Sequence, residues 1–89
     1  MKKIVSVTEV EGEGLTKLLG EEVLLFCINY NYTGILIGVN ADCVLLQDAS
    51  IVFETGPLSQ APRWKAAERL PSKEHYVMKA AIESFGLVK

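Results

Sequence analysis

The sequence predicts a mainly all-β domain: a small, strongly bent antiparallel barrel of five strands with a short N-terminal α-helix. Three observations favour this class. The chain has 89 residues, which suffices for one domain. Runs of β-branched and aromatic residues alternate with short turn sequences, and glycines interrupt one of these runs as a tightly curved sheet requires. With 49% apolar residues, the chain is excluded from the disordered class.

The helix is predicted at residues 14–20. Leu15, Leu18 and Leu19 have the i, i+3, i+4 spacing of an α-helix, and Gly20 is placed to end it. A helix of two turns is too short to be stable alone. We therefore expect its leucines to pack against the sheet.

A bent meander of three strands is predicted at residues 22–55. Its apolar runs are separated by the turn sequences NYN at 29–31 and NAD at 40–42. The runs are apolar at successive positions, so both faces of these strands should be covered. Gly34 and Gly38 lie in the second strand and mark the positions where it bends.

A long loop is predicted at residues 56–74, because this segment contains all three prolines and the only tryptophan. A loop of this length in a compact domain is often functional. Residues 75–88 predict a final pair of strands, and the first eight residues are rich enough in β-branched side chains to add an edge strand. We treat residues 1–89 as one domain.

The net charge of −2 is unevenly distributed. Residues 9–54 hold eight acidic residues and one basic residue, whereas residues 63–89 hold six basic and three acidic residues. Because affinity for phosphate comes largely from neutralising charge, any nucleic-acid contacts are expected mainly in the C-terminal third.

The apolar content predicts self-association. The mean hydropathy of +0.24 is high for a domain that buries only part of its surface. No apolar run reaches the roughly 18 residues of a membrane-spanning helix, so we expect no membrane partner. A cytoplasmic protein that covers its apolar surface with other copies of itself is the expectation.

Catalytic and metal sites are not expected. The sequence contains no nucleophile elbow, phosphate-binding loop, zinc-protease motif or dinucleotide fingerprint. We therefore predict that the protein is not an enzyme and needs neither a cofactor nor a small-molecule substrate. Cys27 and Cys43 lie in apolar runs without CxxC spacing, which indicates ordinary buried thiols rather than a disulfide or metal site.

Three segments together resemble the Sm-like family, which includes Sm, LSm and bacterial Hfq proteins. GLTKLLGEEVLLF is similar to the family's N-terminal helix entering strand one. TGILIGVNADCVLLQDA is similar to the first Sm motif, in which Gly34 takes the place of the glycine and Asn40 the place of the usual Asp. MKAAIESF is similar to the second motif of Hfq, with Lys79 at its lysine.

The resemblance implies a fold and a function. The family forms a five-stranded bent barrel and assembles into rings of about five to eight subunits by pairing strand four with a neighbour's strand five. Its activity is binding single-stranded RNA on the ring faces or around the pore. By this resemblance the pore contributors are Asn40, Ala41, Asp42 and Lys79. The chain departs from Hfq at Asp42, where that turn usually carries a stacking aromatic residue and here carries an anion that repels phosphate.

Each pore residue also has a structural interpretation. Asn40 and Asp42 are both typical turn formers. Lys79 is expected either to contact RNA phosphate or to form an ion pair with Glu83 or Glu54.

Two further groups are candidate RNA-binding residues. Tyr30 and Tyr32 flank a turn and could stack on bases, or pack at a subunit interface with their hydroxyls satisfied. The basic residues around the tryptophan resemble a nucleic-acid contact, although the tryptophan could instead anchor the long loop on the barrel; this group comprises Arg63, Trp64, Lys65 and Arg69.

The function predicted from the sequence is nucleic-acid binding by a homo-oligomeric ring active in RNA processing or regulation. Single-stranded RNA is the expected ligand, and single-stranded DNA is a further candidate. The alternative is a structural or adaptor ring that binds protein partners and has no affinity for RNA. A third hypothesis is a barrel subunit of a larger assembly.

Overall fold

A computed structural model describes residues 14–54, 59, 64 and 66–88. The possible edge strand in the first eight residues, and the candidate site residues Arg63 and Lys65, lie outside the described residues. The elements in chain order are a 3₁₀ turn at Gly14–Leu18, then β1 (Glu22–Cys27), β2 (Asn31–Val39), β3 (Cys43–Val52), β4 (Ala67–Arg69), β5 (Glu74–Met78), a second 3₁₀ turn at Lys79–Ala81, and β6 (Ile82–Leu87). No helix in this part of the chain has the length and apolarity to cross a bilayer.

The strands form one antiparallel sheet in the order β4-β3-β2-β1-β6, and β5 also pairs with β3. β4 pairs with the last three residues of β3, and β5 pairs with its first five. The two short strands therefore occupy one position beside β3, so the sheet is five strand positions wide. The prediction of a bent, five-stranded antiparallel fold is confirmed.

Two apolar clusters hold the sheet. The larger cluster lies inside its bend and contains Val23, Leu25, Cys27, Leu36, Val44, Leu46, Ala49 and Val77. A smaller cluster joins Leu24, Val52 and Trp64. Consecutive residues of β1 thus enter different clusters, which explains why this strand is apolar at successive positions rather than at alternating ones.

The predicted α-helix at residues 14–20 is wrong, because the segment forms only a 3₁₀ turn over its first five residues. Gly14 and Gly20 both have positive φ, at 67° and 86°. A backbone in the left-handed region thus stands at each end of the segment and does not continue a right-handed helix. With three residues per turn, Leu15 and Leu18 fall on the same side and pack against the larger cluster. Leu19 falls outside that side and is 47% exposed.

The segment predicted as a loop at residues 56–74 contains β4. The far end of β3 extends beyond β5 and leaves backbone groups that residues 66–69 satisfy, including a bond from the Phe53 N–H to the Ala66 carbonyl at 3.1 Å. Three residues are too few for the periodicity of a strand to appear in the sequence. Between β4 and β5 the chain leaves the sheet, where the Leu70 N–H donates to the Ala49 carbonyl at 2.9 Å.

The bend of the sheet is centred on Gly34. The register between β2 and β3 shifts between Thr33 and Ile35, and again between Leu36 and Gly38. A Cβ atom added at Gly34 would lie 3.1 Å from the Ala49 Cα and 3.1 Å from the Gln47 carbonyl oxygen. A side chain at this point would therefore be crowded against the backbone of β3, which would have to shift by a few tenths of an ångström to admit it.

Replacing Gly34 tests this contact. Gly34→Ala should lower the free energy of unfolding by about 2 kcal/mol, because the neighbouring atoms belong to the backbone and cannot move aside cheaply. Gly38→Ala is the matched control in the same strand, since its added Cβ would meet only the Leu45 side chain, at 3.4 Å. Urea unfolding of both variants measures the difference. An equal decrease in the free energy of unfolding of the two variants would contradict a special role for Gly34.

Candidate functional site

Two turns that are distant in the sequence meet at one end of the sheet. Because Cys43 at the start of β3 pairs with Met78 at the end of β5, the turn before β3 and the turn after β5 lie side by side. The Lys79 N–H donates to the Asp42 carbonyl at 2.8 Å. We call residues 40–42 and 79–81 the joined turns.

Asn40 holds the first of the joined turns in shape. Its Oδ1 accepts hydrogen bonds from the backbone N–H of Asp42 at 2.8 Å and of Cys43 at 2.9 Å, and the Cys43 thiol lies 3.5 Å from the same oxygen. The Asn40 N–H also donates to the Cys43 carbonyl at 3.0 Å. The side-chain oxygen of Asn40 is thus engaged within the turn, as its structural interpretation predicts.

The two charged residues of the joined turns differ in sign. Asp42 is exposed and Lys79 is half-buried. Within the described residues Lys79 forms no ion pair with Glu54 or Glu83, and no basic side chain pairs with Asp42. The turn offers no aromatic ring, since its three residues are Asn, Ala and Asp. The joined turns therefore carry one carboxylate, from Asp42, and one ammonium group, from Lys79.

A cavity of about 240 Å³ opens beside the joined turns. This volume is below the range of typical small-molecule sites. Among the residues that the structure describes, no three His, Cys, Asp or Glu side chains converge to hold a metal ion. The cavity is lined by Gly38, Val39, Asn40, Cys43, Leu45 and Tyr76.

Tyr30 and Tyr32 do not form a shared surface. Tyr30 is exposed and meets Phe53 edge to face, with ring centroids 5.6 Å apart. Tyr32 is half-buried against the larger cluster and stacks on His75 at 5.8 Å. Burial raises the pKa of Tyr32, and interactions with Cys27 and Tyr30 raise it further. Tyr30 is therefore the better placed of the two for contact with a base.

The basic and aromatic group of the long loop requires a correction. Trp64 is only 5% exposed and packs with Leu24 and Val52, so its indole cannot serve as a stacking surface for a base. The alternative, in which Trp64 anchors the segment on the barrel, agrees with the structure. The Arg69 guanidinium is 2.7 Å from the Asp48 carboxylate, so this cation already has a partner.

Sequence analysis missed a set of exposed apolar side chains on β5 and β6. They alternate along each strand, and this i, i+2 spacing was the available signal. Their exposed fractions are 63% for Tyr76, 58% for Met78, 41% for Phe85 and 53% for Leu87. We call these four residues the edge residues.

Cys27 behaves as expected of a buried thiol. It belongs to the larger cluster. Burial raises its pKa above the ordinary value, and the nearby Glu83 carboxylate raises it further. The thiol therefore stays protonated and unreactive near neutral pH.

The role of Asn40 in the joined turns can be tested by substitution. Asn40→Ala should lower the free energy of unfolding by about 1 kcal/mol, because two backbone N–H groups lose their acceptor. Asn40→Asp is the matched control, since a carboxylate oxygen can accept the same bonds. Thermal unfolding followed by circular dichroism measures both. If Asn40→Asp is as unstable as Asn40→Ala, the side-chain oxygen at position 40 does not stabilise the protein by accepting these hydrogen bonds.

Comparison with known proteins identifies the fold. No protein-family model and no curated protein sequence matches the chain. Among solved structures, the Sm protein of Pyrococcus abyssii in complex with a uridine heptamer is similar to it, with a TM-score of 0.61. The match covers 83% of this chain and 92% of that chain at 16% sequence identity. The chain therefore has the Sm fold, and the resemblance noted in the sequence is confirmed at the level of the fold.

Proposed function

We propose that this Sm-fold chain assembles into a homo-oligomeric ring that binds single-stranded RNA at the joined turns and acts in RNA processing or regulation. The observation that carries the proposal is the 2.8 Å backbone bond between Lys79 and Asp42. It brings Lys79, which forms no ion pair with any described residue, to the turn that resembles the first Sm motif. The uridine heptamer bound by the Pyrococcus Sm protein supports RNA as the ligand.

Lys79 supplies the electrostatic part of this binding. Its ammonium group forms no ion pair with Glu54 or Glu83, the two acidic partners considered for it among the described residues. A charge-assisted hydrogen bond to phosphate releases counterions, so affinity should fall as salt rises. One such contact is weak, but a ring repeats it in every subunit and the contacts act on one strand together. The exposed ring of Tyr30 is a further candidate for stacking on bases.

The outer edge of β5, with which no described strand pairs, supports assembly with another copy. Hydrogen-bonded positions alternate along an antiparallel pair. Because the Lys79 N–H points to Asp42 on the β3 side, the backbone groups of Val77 also face β3. Those of Tyr76 and Met78 consequently face away from the sheet. This edge is available for pairing with another strand.

The free edge of β6 has the same organisation. The Val88 N–H donates to the Glu22 carbonyl at 3.0 Å, so the backbone groups of Gly86 face β1. Those of Phe85 and Leu87 face away from the sheet. At both edges the exposed apolar side chains thus belong to residues whose backbone groups pair with no other described strand.

Antiparallel pairing of β5 with β6 of a second copy satisfies both edges at once. Residues that exchange hydrogen bonds across such a pair lie opposite each other and share a face. Tyr76 and Met78 would then face Phe85 and Leu87 of the second copy on one side of the joined sheet. Parallel pairing would put the two sets on opposite sides. Because a small domain leaves much apolar surface exposed, this burial favours assembly.

The edge residues can be tested by charge insertion. Tyr76→Glu and Phe85→Glu should each convert the oligomer toward the 9.8 kDa monomer, because an unpaired charge would be buried at the junction. Light scattering coupled to size exclusion measures the molar mass. Leu19→Glu is the matched control, since Leu19 is a comparably exposed apolar residue outside both edges. A wild-type monomer, or an oligomer unaffected by either edge variant, would contradict this assembly.

RNA binding can be tested with a labelled uridine heptamer, and with the matched single-stranded DNA, by fluorescence anisotropy. The wild-type protein should bind RNA with an affinity that falls as salt rises. Lys79→Ala removes the contact in every subunit and should weaken binding by at least about tenfold, the factor expected for the loss of a single charge-assisted hydrogen bond of about 1.5 kcal/mol. Lys73→Ala is the control for net charge, because Lys73 is exposed in the bend between β4 and β5.

Two results would count against this function. If the oligomer is intact but binds neither RNA nor DNA, the proposed nucleic-acid function is wrong and the proposed assembly still stands. If Lys79→Ala and Lys73→Ala lowered the affinity for RNA equally, the joined turns would not be the binding site.

A ring that binds protein is the second candidate function. The observation that favours it is a second exposed apolar group, away from the edge residues. Ile28 and Phe53 are both more than half exposed, and Tyr30 packs against Phe53. Such clusters often mark protein contacts. This candidate predicts an oligomer without salt-dependent RNA affinity, so the anisotropy experiment separates the two.

A further inference from the structure

We propose that Asp42 makes the site selective for guanine among the bases of the bound strand. The inference rests on the RNA-binding function proposed above. It concerns which base the joined turns prefer, and it derives from the chemistry of one carboxylate in a fixed turn.

The backbone of Asp42 is fixed on both sides. Its N–H donates to the Asn40 Oδ1 at 2.8 Å, and its carbonyl accepts from the Lys79 N–H at 2.8 Å. The direction of the Asp42 Cα–Cβ bond is therefore set by the turn, which limits the region that the carboxylate can reach. The backbone needs no reordering when a ligand binds there.

The carboxylate itself is not used by the fold. Asp42 is exposed, and no basic side chain of the described residues pairs with it. The turn is held by the oxygen of Asn40 instead. The Asp42 carboxylate is thus available to a ligand and can be changed without removing a contact that the turn needs.

A carboxylate accepts hydrogen bonds and cannot donate them. Guanine is the base whose Watson–Crick edge offers two adjacent donors, N1–H and the N2 amino group, which match the two oxygens of a carboxylate. Uracil offers only N3–H between two carbonyl oxygens that repel the anion. Adenine and cytosine each offer one amino group beside a ring nitrogen that is an acceptor. Asp42 therefore favours guanine and disfavours uracil.

The opposite charges of the joined turns also orient the nucleotide. Asp42 repels phosphate, and Lys79 attracts it. A nucleotide at this site is therefore expected to direct its phosphate toward Lys79 and its base toward Asp42. Asp42 thus weakens binding of the RNA phosphates, and the same carboxylate recognises the base.

The test compares three heptamers that differ only at the central nucleotide: uridine, guanosine or inosine. Inosine lacks the N2 amino group of guanosine and retains N1–H. The wild-type protein should bind the guanosine heptamer about tenfold more tightly than the uridine heptamer, the range of one bidentate contact to a base. Inosine should lose most of that advantage.

Asp42→Asn should abolish the preference for guanine, because an amide presents one donor and one acceptor and suits uracil at least as well. The affinity for the uridine heptamer should stay equal or rise, since one negative charge is removed. Glu68→Gln is the matched control: it removes an exposed negative charge on β4 that forms no ion pair among the described residues, and it should keep the preference. Circular dichroism establishes that both variants are folded.

The outcomes separate this inference from the function on which it rests. Salt-dependent binding of all three heptamers with equal affinity would overturn the selectivity and leave RNA binding standing. A guanine preference that persists in Asp42→Asn would overturn the assignment to Asp42. Failure of the wild-type protein to bind any heptamer would overturn the RNA-binding function itself.

Discussion

The close approach of β2 and β3 at Gly34 is the constraint on which the rest of the structure depends. An added Cβ at this position would lie 3.1 Å from backbone atoms of β3. The absence of a side chain lets β2 bend while it stays paired with the ten-residue β3. A bent β3 can accept two short strands on its other edge, and the end of the second strand then lies beside the turn at residues 40–42. The pairing of β3 with β5 then places the joined turns side by side.

The bent sheet also leaves two strand edges among the described residues. The sheet curls around the larger apolar cluster, yet β5 and β6 remain its edges. Among the described residues, both edges carry exposed apolar side chains and backbone groups with which no strand pairs. The proposed association of copies would take place close to the proposed site, because β5 ends at Met78, next to the joined turns.

Much of this architecture can be predicted from the sequence, because the decisive signals are local. Gly34 and the NAD turn identify the bend and the first joined turn, and the segment around Lys79 resembles a known motif. Other features depend on tertiary contacts. Whether residues 14–20 form an α-helix or a 3₁₀ turn depends on the positive φ of two glycines. Whether Trp64 is exposed depends on its packing against Leu24 and Val52, and β4 exists because the end of β3 needs a partner. The role proposed for the Asp42 carboxylate depends on a hydrogen-bonding feature of the structure, because the side-chain oxygen of Asn40 holds the turn in its place.

The most direct test of the account is hydrogen exchange of the oligomer with and without a bound single-stranded RNA heptamer, followed residue by residue. The account predicts slower exchange on RNA binding at the amides of residues 40–43 and 79–81, with little change around Trp64 and β4. Protection confined to residues 64–69, or exchange at the joined turns that RNA leaves unaltered while it binds, would contradict the claim that these turns are the RNA site.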